Sequence, residues 1–116
     1  MAAMSLDATQ LRQMVIKPAL EKLELWSVAA EELVLGTAIV ESALIYLRQH
    51  GGGPAQGLWQ VEPKAHDDLY TSFLSYRQEL GSRLMELRSP ALSMNENLAS
   101  NLMYGAAVSQ SPLDLC

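Results

Sequence analysis

Apolar residues recur at helical spacing along most of the chain. Leu11, Met14 and Val15 follow Asp7, a residue type that caps helix starts, and predict a first helix over residues 7–17. Pro18 disfavours helical backbone at Lys17, so a break or kink is expected there. Helix then resumes through Leu20, Leu23 and Leu25 toward Trp26, with Glu21, Lys22 and Glu24 outward. A second helix is predicted over residues 30–48. Glu31 and Glu32 stand near its start, where the helix dipole favours anions, and Arg48 and His50 stand near its end. Between them the run LVLGTAIVESALIYL is apolar on nearly every face, the pattern of a buried central helix. Gly36 weakens that helix but permits close approach of a neighbour.

The pattern then changes. Gly51, Gly52 and Gly53 precede Pro54, Ala55, Gln56 and Gly57, which reads as a loop. A phosphate-cradling loop would continue with Gly-Lys-Ser/Thr, whereas Pro54-Ala55 follows here. The run GLWQV predicts a short extended piece. Pro63 opens a third helix through His66, Leu69, Tyr70, Phe73 and Leu74. A fourth covers residues 76–87 and ends near Ser89 and Pro90. A fifth covers 95–108, with Leu98, Leu102 and Ala106 as its apolar stripe. Ser111 and Pro112 stop it, and residues 109–116 read as a tail.

Composition agrees with an all-α fold in one domain over residues 1–116. Leu is the commonest residue, while Val and Ile are scarce. Apolar residues make up 49 % and charged residues 18 %, enough apolar material for one core. The net charge of -5 argues against a nucleic-acid partner. No apolar run is long enough to span a bilayer. The N-terminus lacks the basic and apolar regions of a secretory signal, so synthesis in the cytoplasm is expected. Cys116 is the lone cysteine, and His50 and His66 are not spaced as a metal pair. Neither a metal nor a cofactor is therefore expected.

Glu41 is the one charged residue in the apolar run of the second helix. Desolvation there would disfavour its charged form and raise its pKa toward that of a general acid. The plainer alternative is a wet stripe made of Thr37, Glu41, Ile45 and Arg48.

Glu41-Ser42, then Gly57-Leu58-Trp59-Gln60-Val61-Glu62-Pro63, then Tyr104-Gly105-Ala106 follow one another along the chain. In order and spacing they resemble the motifs of the lysozyme-like superfamily, that is, the lytic transglycosylases and goose-type lysozymes. Gly-Gly-Gly-Pro-Ala and Glu-Pro-x-x-His-Asp-Asp bring the likeness closest to phage-associated members. Four departures stand out: Ala43 for Gly, Trp59 for Met, Lys64-Ala65 for Ala-Thr, and Gly105 for Asn. In the family the Glu-Ser pair sits at the C-terminal end of a helix, and the Gln-bearing segment lines the cleft.

The resemblance implies a lysozyme-like helical domain, with a Gly-rich loop or short hairpin lining a cleft. It implies cleavage of peptidoglycan or a related glycan, with Glu41 as general acid and then base on the glycosidic bond. One carboxyl suffices in a transglycosylase. A lysozyme uses a second, for which Glu62, Asp67 and Asp68 are candidates. Ser42 and Gln60 would bind substrate, and Trp59 and Tyr104 would offer flat faces to sugar rings. The structural alternatives are that Trp59 and Tyr104 are core residues, that Asp67-Asp68 is a solvated first turn, and that His66 is a surface or cap residue. The alternative function is a non-catalytic glycan-binding or phage-assembly protein that retains the scaffold. A third is a plain helical interaction protein with Glu41 exposed. Family modules commonly continue past the third motif. The tail is accordingly read as a shortened C-terminus that leaves apolar surface open to self-association. A wall substrate without an export signal implies carriage with a phage or release to the wall.

Overall fold

The computed structural model describes residues 6–110 apart from 48 and 50. The expectations placed on Arg48, His50 and residues 111–116 lie outside the described residues. Asp7 caps the first helix as expected: its Oδ1 accepts the N–H groups of Thr9 (2.8 Å) and Gln10 (3.2 Å). Helix α1 (Ala8–Leu11) runs into a π-helical turn (Arg12–Ile16) and on into α2 (Lys17–Lys22). Pro18 has no N–H, and its ring crowds the carbonyl of residue 14. The wider turn just upstream absorbs that conflict, with Lys17 N–H bonded back to Arg12 O. The chain therefore passes the proline without the break expected at Lys17. It ends its helix at Lys22 rather than near Trp26, because Glu24 takes a left-handed backbone (φ 60°).

Helix α3 (Val28–Ser42) is capped by Ser27, whose Oγ accepts Ala30 N–H at 3.0 Å. Glu31 in its first turn accepts from Trp26 Nε1 (2.9 Å) and pairs with Arg12 Nε (3.3 Å), tying the N-terminal arm to α3. The helix was expected to reach residue 48 but stops at Ser42. Ala43 and Leu44 are both left-handed (φ 53° and 60°). Ser42 Oγ secures that end by donating to Ala38 O (2.9 Å) and accepting Leu44 N–H (3.2 Å).

The expectation of a buried central helix here is also corrected. Only one stripe of α3 faces the core, Ala30, Val34, Ala38 and Ser42 at four-residue spacing. Leu33 is 50 % and Val40 82 % exposed. The central element is instead α7 (Leu102–Gln110), which packs against α2, the π-turn, α3, α5 and α6. Its buried run Tyr104-Gly105-Ala106-Ala107-Val108 is mostly small, so neighbours approach its backbone from several sides.

After α3, Gln49 closes the glycine loop by bonding both N–H and C=O of Ala55 (3.1 and 2.9 Å). Gln56 and Val61 pair in an isolated antiparallel bridge, 2.9 Å in each direction. The expected extended piece is thus a tight turn, and no strand forms among the described residues. Gly57 (φ 78°) donates to Leu47 O at 2.6 Å, and any Cβ there would collide with Leu98 O.

The third predicted helix comprises α4 (Pro63–Asp68), a π-turn (Leu69–Phe73) and a 3-10 turn (Leu74–Tyr76). Helix α5 (Gln78–Leu87) follows. The predicted fifth helix is two, α6 (Met94–Ser100) and α7, the latter reaching Gln110 rather than 108. Asn101 divides them with an extended ψ of 93°; its Oδ1 accepts Tyr104 N–H (3.1 Å) and its Nδ2 donates to Leu87 O (2.8 Å). Among the described residues no helix is long and apolar enough to cross a membrane.

Candidate functional site

A cleft of about 520 Å³ opens at the C-terminal end of α3. Glu41, Ser42, Ala43, Tyr46, Gln60 and Glu62 are among its lining residues. Three of the residues nominated from sequence, Glu41, Gln60 and Glu62, thereby come together from the end of α3, the Gly57 turn and the start of α4. Glu41 is exposed, so the desolvation expected on an apolar helix is not what surrounds it. It lies off the Ala30, Val34, Ala38 and Ser42 stripe by which α3 faces the core. Glu62 is exposed at the N-cap of α4. Gln60 is left-handed (φ 51°), and its Nε2 donates to Gly57 O at 2.7 Å, which fixes the side chain within the turn. Ser42 also lines the cleft, but its buried hydroxyl is committed to the helix end.

The remaining nominated residues lie elsewhere. Asp67 and Asp68 are exposed on α4 and do not line the cleft; Asp68 pairs with Lys64 at 3.3 Å. Trp59 is 4 % exposed and donates from Nε1 to Val34 O at 2.8 Å. Its ring lies against α7 at Gly105, where a Cβ would come within 3.1 Å of Trp59 Cε3. Tyr104 is 0 % exposed. Neither aromatic presents a face to a sugar, so the core alternative describes both.

His66 is corrected from a surface residue to a core one, at 2 % exposed. Its Nε2 lies 2.6 Å from Tyr104 Oη, Tyr70 Oη lies 2.8 Å from the same atom, and Asp67 Oδ1 lies 3.2 Å from His66 Nδ1. Burial pulls the His66 pKa below its usual value, although Asp67 acts the other way through its hydrogen bond and charge. Burial likewise pushes the Tyr104 and Tyr70 phenols up. One neutral assignment fits all these groups: Nδ1–H donates to Asp67, Nε2 accepts Tyr104 O–H, and Tyr104 accepts Tyr70 O–H. The bond between His66 and Tyr104 fastens α4 to α7. The two residues are 38 positions apart in the chain, and no local pattern pairs them.

Sequence reasoning missed Tyr46. It was absorbed into the long second helix, whereas the reversal at Ala43 and Leu44 carries it to the cleft, 39 % exposed. The available signal was the motif resemblance, which places the Glu-Ser pair at a helix end. Among the described residues no group of three or more His, Cys, Asp or Glu side chains is placed to hold a metal ion. No family model matches the chain, and no curated protein or solved structure matches it either.

Proposed function

We propose that the protein is a lysozyme-like enzyme that cleaves the glycosidic bond between amino sugars of peptidoglycan, with Glu41 as general acid and base. The observation that carries this reading is the meeting of Glu41, at the C-terminal end of α3, with Gln60 and Glu62 in one cleft. Glu41 protonates the leaving glycosidic oxygen as the anomeric carbon gains positive charge. It then takes a proton from the incoming hydroxyl. If that hydroxyl is the sugar's own, Glu41 suffices and an anhydro product forms. If it is water, Glu62 is the second carboxylate on hand. Backbone strain adds support. Of the four non-glycine residues with positive φ among the described residues, Ala43 and Gln60 line this cleft and Leu44 adjoins Ala43.

A second reading is a glycan-binding protein without turnover. The exposure of Glu41 favours it, because the cleft does not exclude water from the carboxyl. Mass spectrometry of muropeptides after incubation with cell walls separates the outcomes. Anhydro ends indicate a transglycosylase, reducing ends a lysozyme, and unchanged walls the binding protein. Glu41→Gln is expected to lower turnover by at least about 100-fold, and turnover at the wild-type rate in that variant would remove Glu41 from the mechanism. A wall substrate further implies that the protein reaches the wall with a phage particle or on cell lysis.

A further inference from the structure

We infer that Tyr46 is the residue on which a sugar ring of the glycan stacks in the cleft, next to Glu41. The inference rests on the reading of Glu41 as the acid of a glycan-cleaving site. A pyranose ring presents a face of C–H groups, and a phenol ring offers it flat apolar area with a polar tip. Trp59 and Tyr104, the aromatics that the motifs suggest for this task, are consumed by the core. Tyr46 is the aromatic among the described lining residues, and 39 % of it remains exposed.

The local backbone explains its position. Ile45 N–H and Tyr46 N–H both bond back to Ser42 O (2.9 and 3.4 Å), so the chain folds over the end of α3 immediately after Glu41. One helix terminus thus supplies both the acid and the ring. Gln60, held through its Nε2 by Gly57 O, keeps its Oε1 as an acceptor at the same cleft. An acceptor near a stacking ring suits a sugar that carries an acetamido N–H. The ligand class is therefore an N-acetylated amino-sugar oligomer.

Titration calorimetry of the full chain with N-acetylchitotetraose tests this. Tyr46→Phe keeps the ring and should bind within about twofold of wild type. Tyr46→Ala should weaken binding about tenfold. Tyr46→Leu keeps apolar volume without a ring and should lose nearly as much, which separates stacking from packing. A melting curve for each variant identifies any that has unfolded. With cell walls as substrate, Tyr46→Ala should raise KM with kcat largely retained. Wild-type affinity in the Ala or Leu variant overturns the inference, as does absence of binding by the wild-type chain. Glu41→Gln separates the two ideas. If it abolishes turnover while Tyr46→Ala still binds normally, only the role of Tyr46 fails. If it turns over normally, the role of Glu41 fails, and the binding data still decide Tyr46.

Discussion

A glycine inside a helix costs about 1 kcal/mol relative to alanine, and Gly105 occupies such a position in α7 because the Trp59 indole lies against it. These are two of the four departures from the lysozyme-like pattern, a large residue for Met and a small one for Asn. In space they are one exchange of volume between the Gly57 turn and α7. A double-mutant cycle measures the exchange. Trp59→Met alone should cost about 1–3 kcal/mol by opening a cavity beside Gly105 and removing the bond to Val34 O. Gly105→Asn alone should cost about 1–3 kcal/mol by overpacking the ring. Because each change relieves the other, the double variant should be more stable than the sum predicts by about 1 kcal/mol in urea unfolding. Strict additivity would mean that the two sites do not compensate.

Among the elements, the link from α5 to α6 depends on one side chain. Asn97 is 0 % exposed, and its Nδ2 donates to the carbonyls of Ser89, Leu92 and Ser93. Its Oδ1 accepts from Ser89 N–H (2.8 Å) and Asn101 Nδ2 (3.0 Å). Asn97→Ala strands several buried groups and should cost about 2–3 kcal/mol, lowering Tm by roughly 10 °C or more. Asn97→Asp should be no better, since it sets a carboxylate oxygen against three carbonyls. Full stability of the Asp variant would refute this account.

The helices themselves were legible, and so was the Asp7 cap, because both are written in local spacing. Their ends were less so. Glu24, Ala43 and Leu44 turn left-handed without the glycine that usually marks such a stop, so periodicity ran on past them. The Pro18 signal was real, but a π-turn answered it one turn earlier. In the α3 region the apolar pattern could not separate burial from exposure, since a helix apolar on every side has no direction. The cleft residues Glu41, Gln60 and Glu62 were legible through motif spacing. Tyr46 and the pairing of His66 with Tyr104 were not, as the first depends on where α3 stops and the second on a contact between α4 and α7.

At the scale of the whole molecule, buried His66 and Tyr104, with half-buried Tyr70 beside them, make stability depend on pH. Around His66 stand Asp67 on its own helix, Tyr70 on the following π-turn, Tyr104 on α7, and the positive charge of Arg88 after α5. Burial holds its folded pKa below the usual 6.5. The unfolded chain therefore binds a proton more readily than the folded one as pH falls below 6.5, so unfolding gains proton uptake and stability drops. Above that value both states are neutral and the contribution is constant. Below the folded pKa both are charged, and the loss is complete. Glu86, whose pKa Lys22 lowers by hydrogen bond and charge, begins to lose its contribution only as pH falls through the usual carboxyl value of 4.5. Between these two values the difference between wild type and a His66 variant reads the imidazole. Urea unfolding at pH 8, 6.5, 5.5 and 5 should give a plateau followed by a decline. In His66→Gln, which lacks a titrating ring, that decline should flatten even though the variant starts from a lower stability. Equal slopes in the two proteins over this interval would show that His66 is not the group whose protonation opens the α4–α7 contact.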